Sequence, residues 1–96
     1  MKSVILALSM LLVAPTAQAA VSKEEACFIT SGRIFFVAVG REFGGNAPTA
    51  YLGMIEQGVG QNDARFIMDL VYFKAAYIEP ATLASEYYDY CVSTET

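Results

Sequence analysis

Apolar and polar positions follow a helical period along most of the chain after its first twenty residues. Residues 22–25 (Ser-Lys-Glu-Glu) form a capping box, in which the serine hydroxyl accepts from the backbone N–H of Glu25, so a helix should start near Lys23. A polar stripe with a period close to 3.6 residues comprises Thr30, Arg33, Val37, Gly40, Arg41 and Gly44. The apolar residues on the other sides are Cys27, Phe28, Ile34, Phe35, Ala38, Val39 and Phe43. This pattern predicts a long first helix.

Residues 33–39 support a second interpretation. They are rich in β-branched and aromatic side chains, which is typical of a buried strand. We favour the helix because the cap and the polar stripe agree, and because no second strand is present for pairing.

Residues 44–49 are typical of a turn, with Asn46 or Ala47 as the N-cap of a second helix. Gly58 and Gly60 should end that helix. Its apolar row is Pro48, Leu52, Ile55 and Val59. The pattern predicts a short amphipathic helix buried along this row.

Asn62 is expected to cap a third helix, with Asp63 in its first turn. Its predicted apolar face joins two rows, Phe66/Leu70/Phe73/Tyr77 and Ile67/Val71/Ile78, with Asp69 and Tyr72 pointing away. Pro80 should end this helix and begin a fourth. The fourth carries Leu83, Tyr87, Tyr90 and Cys91 on one side, and residues 93–96 are expected to form a frayed tail.

The two cysteines, Cys27 and Cys91, lie in the first and last of these helices. Four helices with short loops pack most simply as antiparallel neighbours, which places the start of the first and the end of the last at the same end. We therefore expect an all-α fold, a small four-helix up-down bundle closed by one Cys27–Cys91 disulfide. Two free buried thiols are the alternative.

Residues 1–20 differ from the rest of the chain. Lys2 precedes an apolar run, Val4 to Ala14, and Ala17-Gln18-Ala19 has the small-x-small form of a cleavage site. The run is too short to span a bilayer. We expect a Sec-type signal peptide, removed to leave one helical domain over residues 21–96 in the periplasm or outside the cell, where disulfides form.

Charge and residue types narrow the classes of function. Loss of Lys2 leaves five basic and ten acidic residues, a net charge of −5, which argues against nucleic acid or a membrane surface as a partner. The chain has no histidine, and both cysteines are expected to be bonded. Glu42 and Glu79 flank two loops at one end of the expected bundle, and we interpret them as solvated helix ends and not as a catalytic pair. We therefore expect no catalytic residues, no metal site and no cofactor.

Two groups of residues are candidates for binding a partner. Residues Arg41, Glu42, Gly44, Gly45 and Asn46 place exposed backbone between an arginine and an amide, as docking loops do. Tyr72 and Tyr88 lie off the apolar rows, and tyrosine is enriched at interfaces. Broad apolar faces on so small a chain also indicate a homodimer.

The size, export signal, terminal disulfide and helical pattern resemble two groups of periplasmic proteins. One comprises the immunity proteins that neutralise peptidoglycan amidases delivered by type VI secretion. The other comprises acid-stress chaperones of the HdeA type. The resemblance is one of architecture and transfers no functional residues. We expect a non-catalytic, exported protein that binds another exported protein, as an immunity or inhibitor module does. An acid-stress chaperone and a structural or assembly protein are the alternatives.

Overall fold

The computed structural model describes residues 21–94, and the predicted signal peptide lies outside this range. The helices are α1 (Lys23–Glu42), α2 (Ala47–Glu56), α3 (Gln61–Asp69) and α4 (Pro80–Ser93), and a π-helical turn (Leu70–Lys74) continues α3 directly. No strand occurs among the described residues. The expected four-helix up-down bundle, with a disulfide between its first and last helices, is confirmed.

Helix α1 begins and ends at local signals in the sequence. The Ser22 hydroxyl accepts from the Glu25 N–H at 3.0 Å, as the capping box predicts. Gly44 has a φ of +95°, and its N–H donates to the carbonyl of Arg41 at 3.1 Å, while Gly45 donates to the carbonyl of Gly40 at 2.9 Å. This is a Schellman motif, which requires a left-handed residue after the helix. Residues 33–39 are helical, so the alternative strand interpretation is wrong.

Helix α2 is bounded in the same way. Asn46 is the N-cap, and its Oδ1 accepts from the Thr49 N–H at 3.0 Å. Gly58 has a φ of +93°, and the N–H of Val59 donates to the carbonyl of Met54 at 3.0 Å. Val59 and Met54 are both buried, which is the apolar contact that accompanies a Schellman motif.

The prediction for the start of α3 is wrong by two residues. Its N-cap is Gly60, which makes no side-chain capping bond, whereas Asn62 lies within the helix and is exposed. Val59 is buried at the end of the four-residue connection 57–60, and Gly60 directly after it is the N-cap from which α3 begins. Asp63 does lie in the first turn, where a negative charge is favourable.

The core is a narrow line of small and medium-sized side chains. Helix α1 packs on α4 and on the π-helical turn, while α2 packs on α3. The buried cluster comprises Ile34, Ala38, Met54, Val59, Ala64, Ile67, Val71, Ala75 and Leu83. Small residues such as Ala38 and Ala64 let the helices approach closely, and this leaves no room for the aromatic rows that the sequence pattern favoured.

Of the apolar row predicted for α2, only Val59 is buried, and the three residues before it face outward. Leu52 is 59% exposed and Ile55 is 37% exposed, whereas Met54 and Ala47 are buried. The contact between Val59 and Met54 sets the rotation of this short helix, and Leu52 then lies on the outer side.

One of the two rows predicted for α3 is also wrong. Ile67 and Val71 are buried as expected, but Phe73 is 66% exposed and Tyr77 fully exposed. The N–H of Ala75 donates to the carbonyl of Leu70 at 2.8 Å, a π-type bond that widens the turn by one residue. Ala75 lies four residues after Val71, on the same side of the helix, and is buried with it.

Two tyrosines do not lie on the sides of the helices that the sequence pattern predicted. Tyr72 is half-buried and packs against the core, although it was expected to point away. Tyr90 is 67% exposed, whereas Leu83, predicted to share its side of α4, is buried. Helix α4 continues to Ser93, which was expected to belong to a frayed tail.

The first and last helices meet at the disulfide end of the bundle. The Cα atoms of Cys27 and Cys91 are 5.8 Å apart, and their sulfurs are bonded. The Lys23 ammonium donates to the carbonyl of Thr94, which joins the start of α1 to the end of α4 a second time.

We expect replacement of both cysteines by alanine to lower the free energy of unfolding by about 4 kcal/mol, because the bridge spans 64 residues and restricts the unfolded chain. Urea unfolding followed by circular dichroism measures this. The wild-type protein in reductant is the control and should lose a similar amount. Equal stability of oxidised and reduced protein would contradict the prediction.

Candidate recognition site

A groove of about 520 Å³ runs between α1 and α2, and we call it the α1–α2 groove. It is lined by Arg33, Phe36, Val37 and Gly40 from α1, by Thr49, Ala50, Gly53, Met54 and Gln57 from α2, and by Gly45, Asn46 and Tyr72 at the end where the two helices are joined. The lining is mostly apolar, with a few polar groups at its edges.

The groove is open because α2 presents small side chains to α1. Ala50 and Gly53 lie one turn apart on this side of α2, and a Cβ atom built at Gly53 would have no heavy atom within 4 Å. Helix α2 is held in place by its packing on α3, so it does not need to close on α1.

The loop between α1 and α2 lies against Tyr72. A Cβ atom at Gly45 would lie 3.0 Å from the carbonyl oxygen of Gly40 and 3.2 Å from the Tyr72 hydroxyl, so only glycine fits without a shift. Burial raises the pKa of Tyr72, and the positive charge of Arg41 partly offsets this. Tyr72 is therefore a neutral phenol at the end of the groove.

The guanidinium of Arg41 turns inward and contacts three backbone carbonyls. Nη1 donates to the oxygens of Val71 at 2.9 Å and Ala75 at 3.3 Å, and Nη2 donates to that of Ile78 at 2.7 Å. Nη2 also lies 2.8 Å from Oε2 of Glu42, and the Arg41 side chain is only 10% exposed. Carbonyls at the end of a helix lack partners within it, and a cation near them is favourable.

The structure brings together three of the predicted partner-binding residues, since Gly45, Asn46 and Tyr72 all line the α1–α2 groove. Glu42, at the end of α1, and Gly44, in the adjoining loop, are exposed but do not line the groove. The Arg41 guanidinium is occupied by backbone carbonyls.

Tyr88 is half-buried on α4 and lies outside the groove, so the structure does not bring it together with Tyr72.

Sequence reasoning missed the α2 wall of the groove and the position of Arg33. Arg33 is half-buried and lines the groove, and its side chain makes no hydrogen bond or ion pair with another described residue. Thr49, Gly53 and Gln57 recur every four residues along α2, and this spacing was the available signal.

A second, shallower depression of about 400 Å³ lies at the disulfide end. Tyr87 and Tyr90 line it together with Lys23 and Thr30. Burial raises the pKa of Tyr87, and nearby Asp63 and Tyr90 raise it further. The ring of Tyr87 also packs on Phe66, with centroids 6.0 Å apart.

Within residues 21–94, histidine, cysteine, aspartate and glutamate side chains form no group of three that could hold a metal ion. Over the same residues, no helix combines the length and the apolar character needed to cross a membrane. No protein-family model, curated protein or solved structure matches the chain. The α1–α2 groove is therefore the feature of the molecule that bears on its function.

We expect Arg41→Lys to lower the free energy of unfolding by about 2 kcal/mol, because an ammonium cannot reach all three carbonyls that the planar guanidinium binds. Arg33→Lys is the matched control and should change stability by less than about 0.5 kcal/mol. Urea unfolding of both variants measures the difference, and equal effects would contradict the role of Arg41.

We expect stability to fall in alkali because the pKa values of Tyr72 and Tyr87 are raised above 10.0 in the folded protein. The unfolded chain loses these protons first, so the contribution is complete below about pH 10 and disappears as the pH rises through the folded values. Tyr72→Phe should make the decline shallower in urea unfolding at increasing pH. A decline as steep as that of the wild type would show that Tyr72 does not contribute.

Proposed function

We propose that this protein is exported to the periplasm or secreted, is not an enzyme, and binds another exported protein as an immunity or inhibitor module does. A segment of the partner enters the α1–α2 groove. The observation that carries this proposal is an open groove beside an ordered loop, in a bundle whose helices α1 and α2 leave the space between them unfilled.

The groove has the size and the lining of a recognition site. Its volume of about 520 Å³ lies within the range of roughly 300–1,000 Å³ in which proteins bind ligands. It is enough for two or three side chains of a partner loop. Apolar lining favours burial of apolar side chains, whereas polar groups at the edge give orientation.

Arg33 on α1 and Gln57, directly after the end of α2, both line the groove. Their side chains can donate hydrogen bonds to a carboxylate or to backbone carbonyls of an inserted loop. Tyr72 and the backbone around Gly45 limit the groove at its end. We infer that the partner segment presents an apolar side chain next to an acidic residue.

The experiment begins with the partner. The exported chain is used as bait for periplasmic and secreted proteins from its own source. The captured protein is identified and purified, and its affinity for the chain is measured by calorimetry. If the captured protein is a toxin, cells that express the chain should survive it.

We expect Gly53→Leu to weaken binding of that partner at least about tenfold, because the leucine fills the groove. Gly53→Ala is the matched control, since it also removes the glycine from the helix but adds only one carbon. Its affinity should stay within about twofold of the wild type. Unchanged affinity of a folded Gly53→Leu variant would refute the groove as the binding site.

A further inference from the structure

The outward side of α1 is apolar along almost its whole length. Phe28 is 69% exposed, Phe36 is 75% exposed and Phe43 is 86% exposed, and Phe35 lies between them at 38%. Between residues 26 and 40 the only charged side chain is Arg33, which lines the α1–α2 groove. We call this surface the outer α1 face and define it as Phe28, Gly32, Phe35, Phe36, Val39 and Phe43.

The spacing along the outer α1 face is that of a helix that packs on another helix. Positions 28, 32, 35 and 39 are separated by four, three and four residues, the alternation found in coiled-coil seams. Within the described chain α1 packs on α4 and the π-helical turn through its other side, where Cys27, Ile34 and Ala38 are buried. The seam therefore has no partner within residues 21–94.

The face is complementary to itself in an antiparallel arrangement. A two-fold axis midway between Phe35 and Phe36 places Phe28 opposite Phe43 of a second copy. The same axis places Gly32 opposite Val39. A Cβ atom at Gly32 would have no heavy atom within 4 Å, so the glycine leaves space for the valine. Symmetric contacts of this kind are the usual basis of homodimers.

We propose that two copies of this chain form a homodimer through their outer α1 faces, with the two α1 helices antiparallel about this axis. The sequence alone predicts only that the chain dimerises. The structure assigns the surface and the register. The dimer does not depend on the partner proposed for the α1–α2 groove, and Phe36 is the one residue that borders both surfaces.

The exposed area is sufficient for a dimer. An aromatic side chain buries roughly 200 Å², so the four phenylalanines of this face, at their observed exposures, offer roughly 540 Å² per copy. Two copies would bury roughly 1,100 Å², which is above the roughly 1,000 Å² that a specific protein interface needs. An exposed apolar patch of this size is at the upper end for a monomer.

A second copy fits this face better than a foreign partner does. The mature chain has an expected net charge of −5, so two copies repel each other through most of their surface. The outer α1 face is an uncharged strip on which that repulsion is weakest, and its large and small residues match under the two-fold axis. Binding of a different protein would not require the large and small residues of this face to match each other under a two-fold axis.

The first test is sedimentation equilibrium of the purified exported protein at about 100 µM. We expect a mass twice that of one chain, and Phe28→Asp and Phe43→Asp should each raise the dissociation constant at least about tenfold. Phe73→Asp is the matched control, because Phe73 is 66% exposed on the π-helical turn and should not affect the dimer. Circular dichroism and an intact disulfide verify the fold of each variant.

The second test addresses the register with two variants that each add one cysteine to the bonded Cys27–Cys91 pair, Gly32→Cys and Val39→Cys. Mixed together they should form an intermolecular disulfide between positions 32 and 39. Each alone should form little, because its two copies would lie about 10 Å apart along the helix axis. A monomeric wild type, aspartate variants that dimerise as the control does, or cross-linking of one variant with itself as efficient as in the mixture would each overturn the proposal.

Discussion

The guanidinium of Arg41 closes the end of the bundle that the disulfide does not reach. Arg41 lies fourteen residues beyond Cys27 on α1, so the two constraints are about 20 Å apart along one helix. The disulfide ties α1 to α4, whereas Arg41 ties α1 to the carbonyls that end the π-helical turn. Because α1 is held at both ends, α2 is free to pack on α3 and to leave the groove open.

Local signals in the sequence were enough to predict the helices. The caps at Ser22 and Asn46 and the proline at the start of α4 each act through contacts within a few residues. The Cys27–Cys91 disulfide was expected from the predicted export, and the even number of helices agreed with it. The buried sides of α2 and α3 did not follow, because rotation of a short helix depends on neighbours distant in sequence. Large residues such as Leu52 and Phe73 gave the stronger periodic signal, yet the core selected Met54 and Ala75.

The candidate site was predictable in part. The glycine loop and Tyr72 were each chosen from the sequence, and the structure places the Tyr72 hydroxyl against Gly45. Arg41 was chosen as a partner contact because an arginine beside glycines is typical of a docking loop. The arrangement of carbonyls that it binds arises only once α3 ends in a π-helical turn. The sequence signal for the α2 wall was weak. A groove forms where side chains are small, and small residues also occur in helices for several other reasons.

The π-helical turn also limits how the chain can vary in length. It holds one residue more than a regular turn. That extra residue positions the Tyr72 side chain and the carbonyls of Val71 and Ala75. Loss of one residue there would restore a regular helix and rotate everything downstream by about 100°. Val71 and Ala75 could no longer offer their oxygens to the same arginine. Insertions and deletions in related sequences should therefore be rare within this turn.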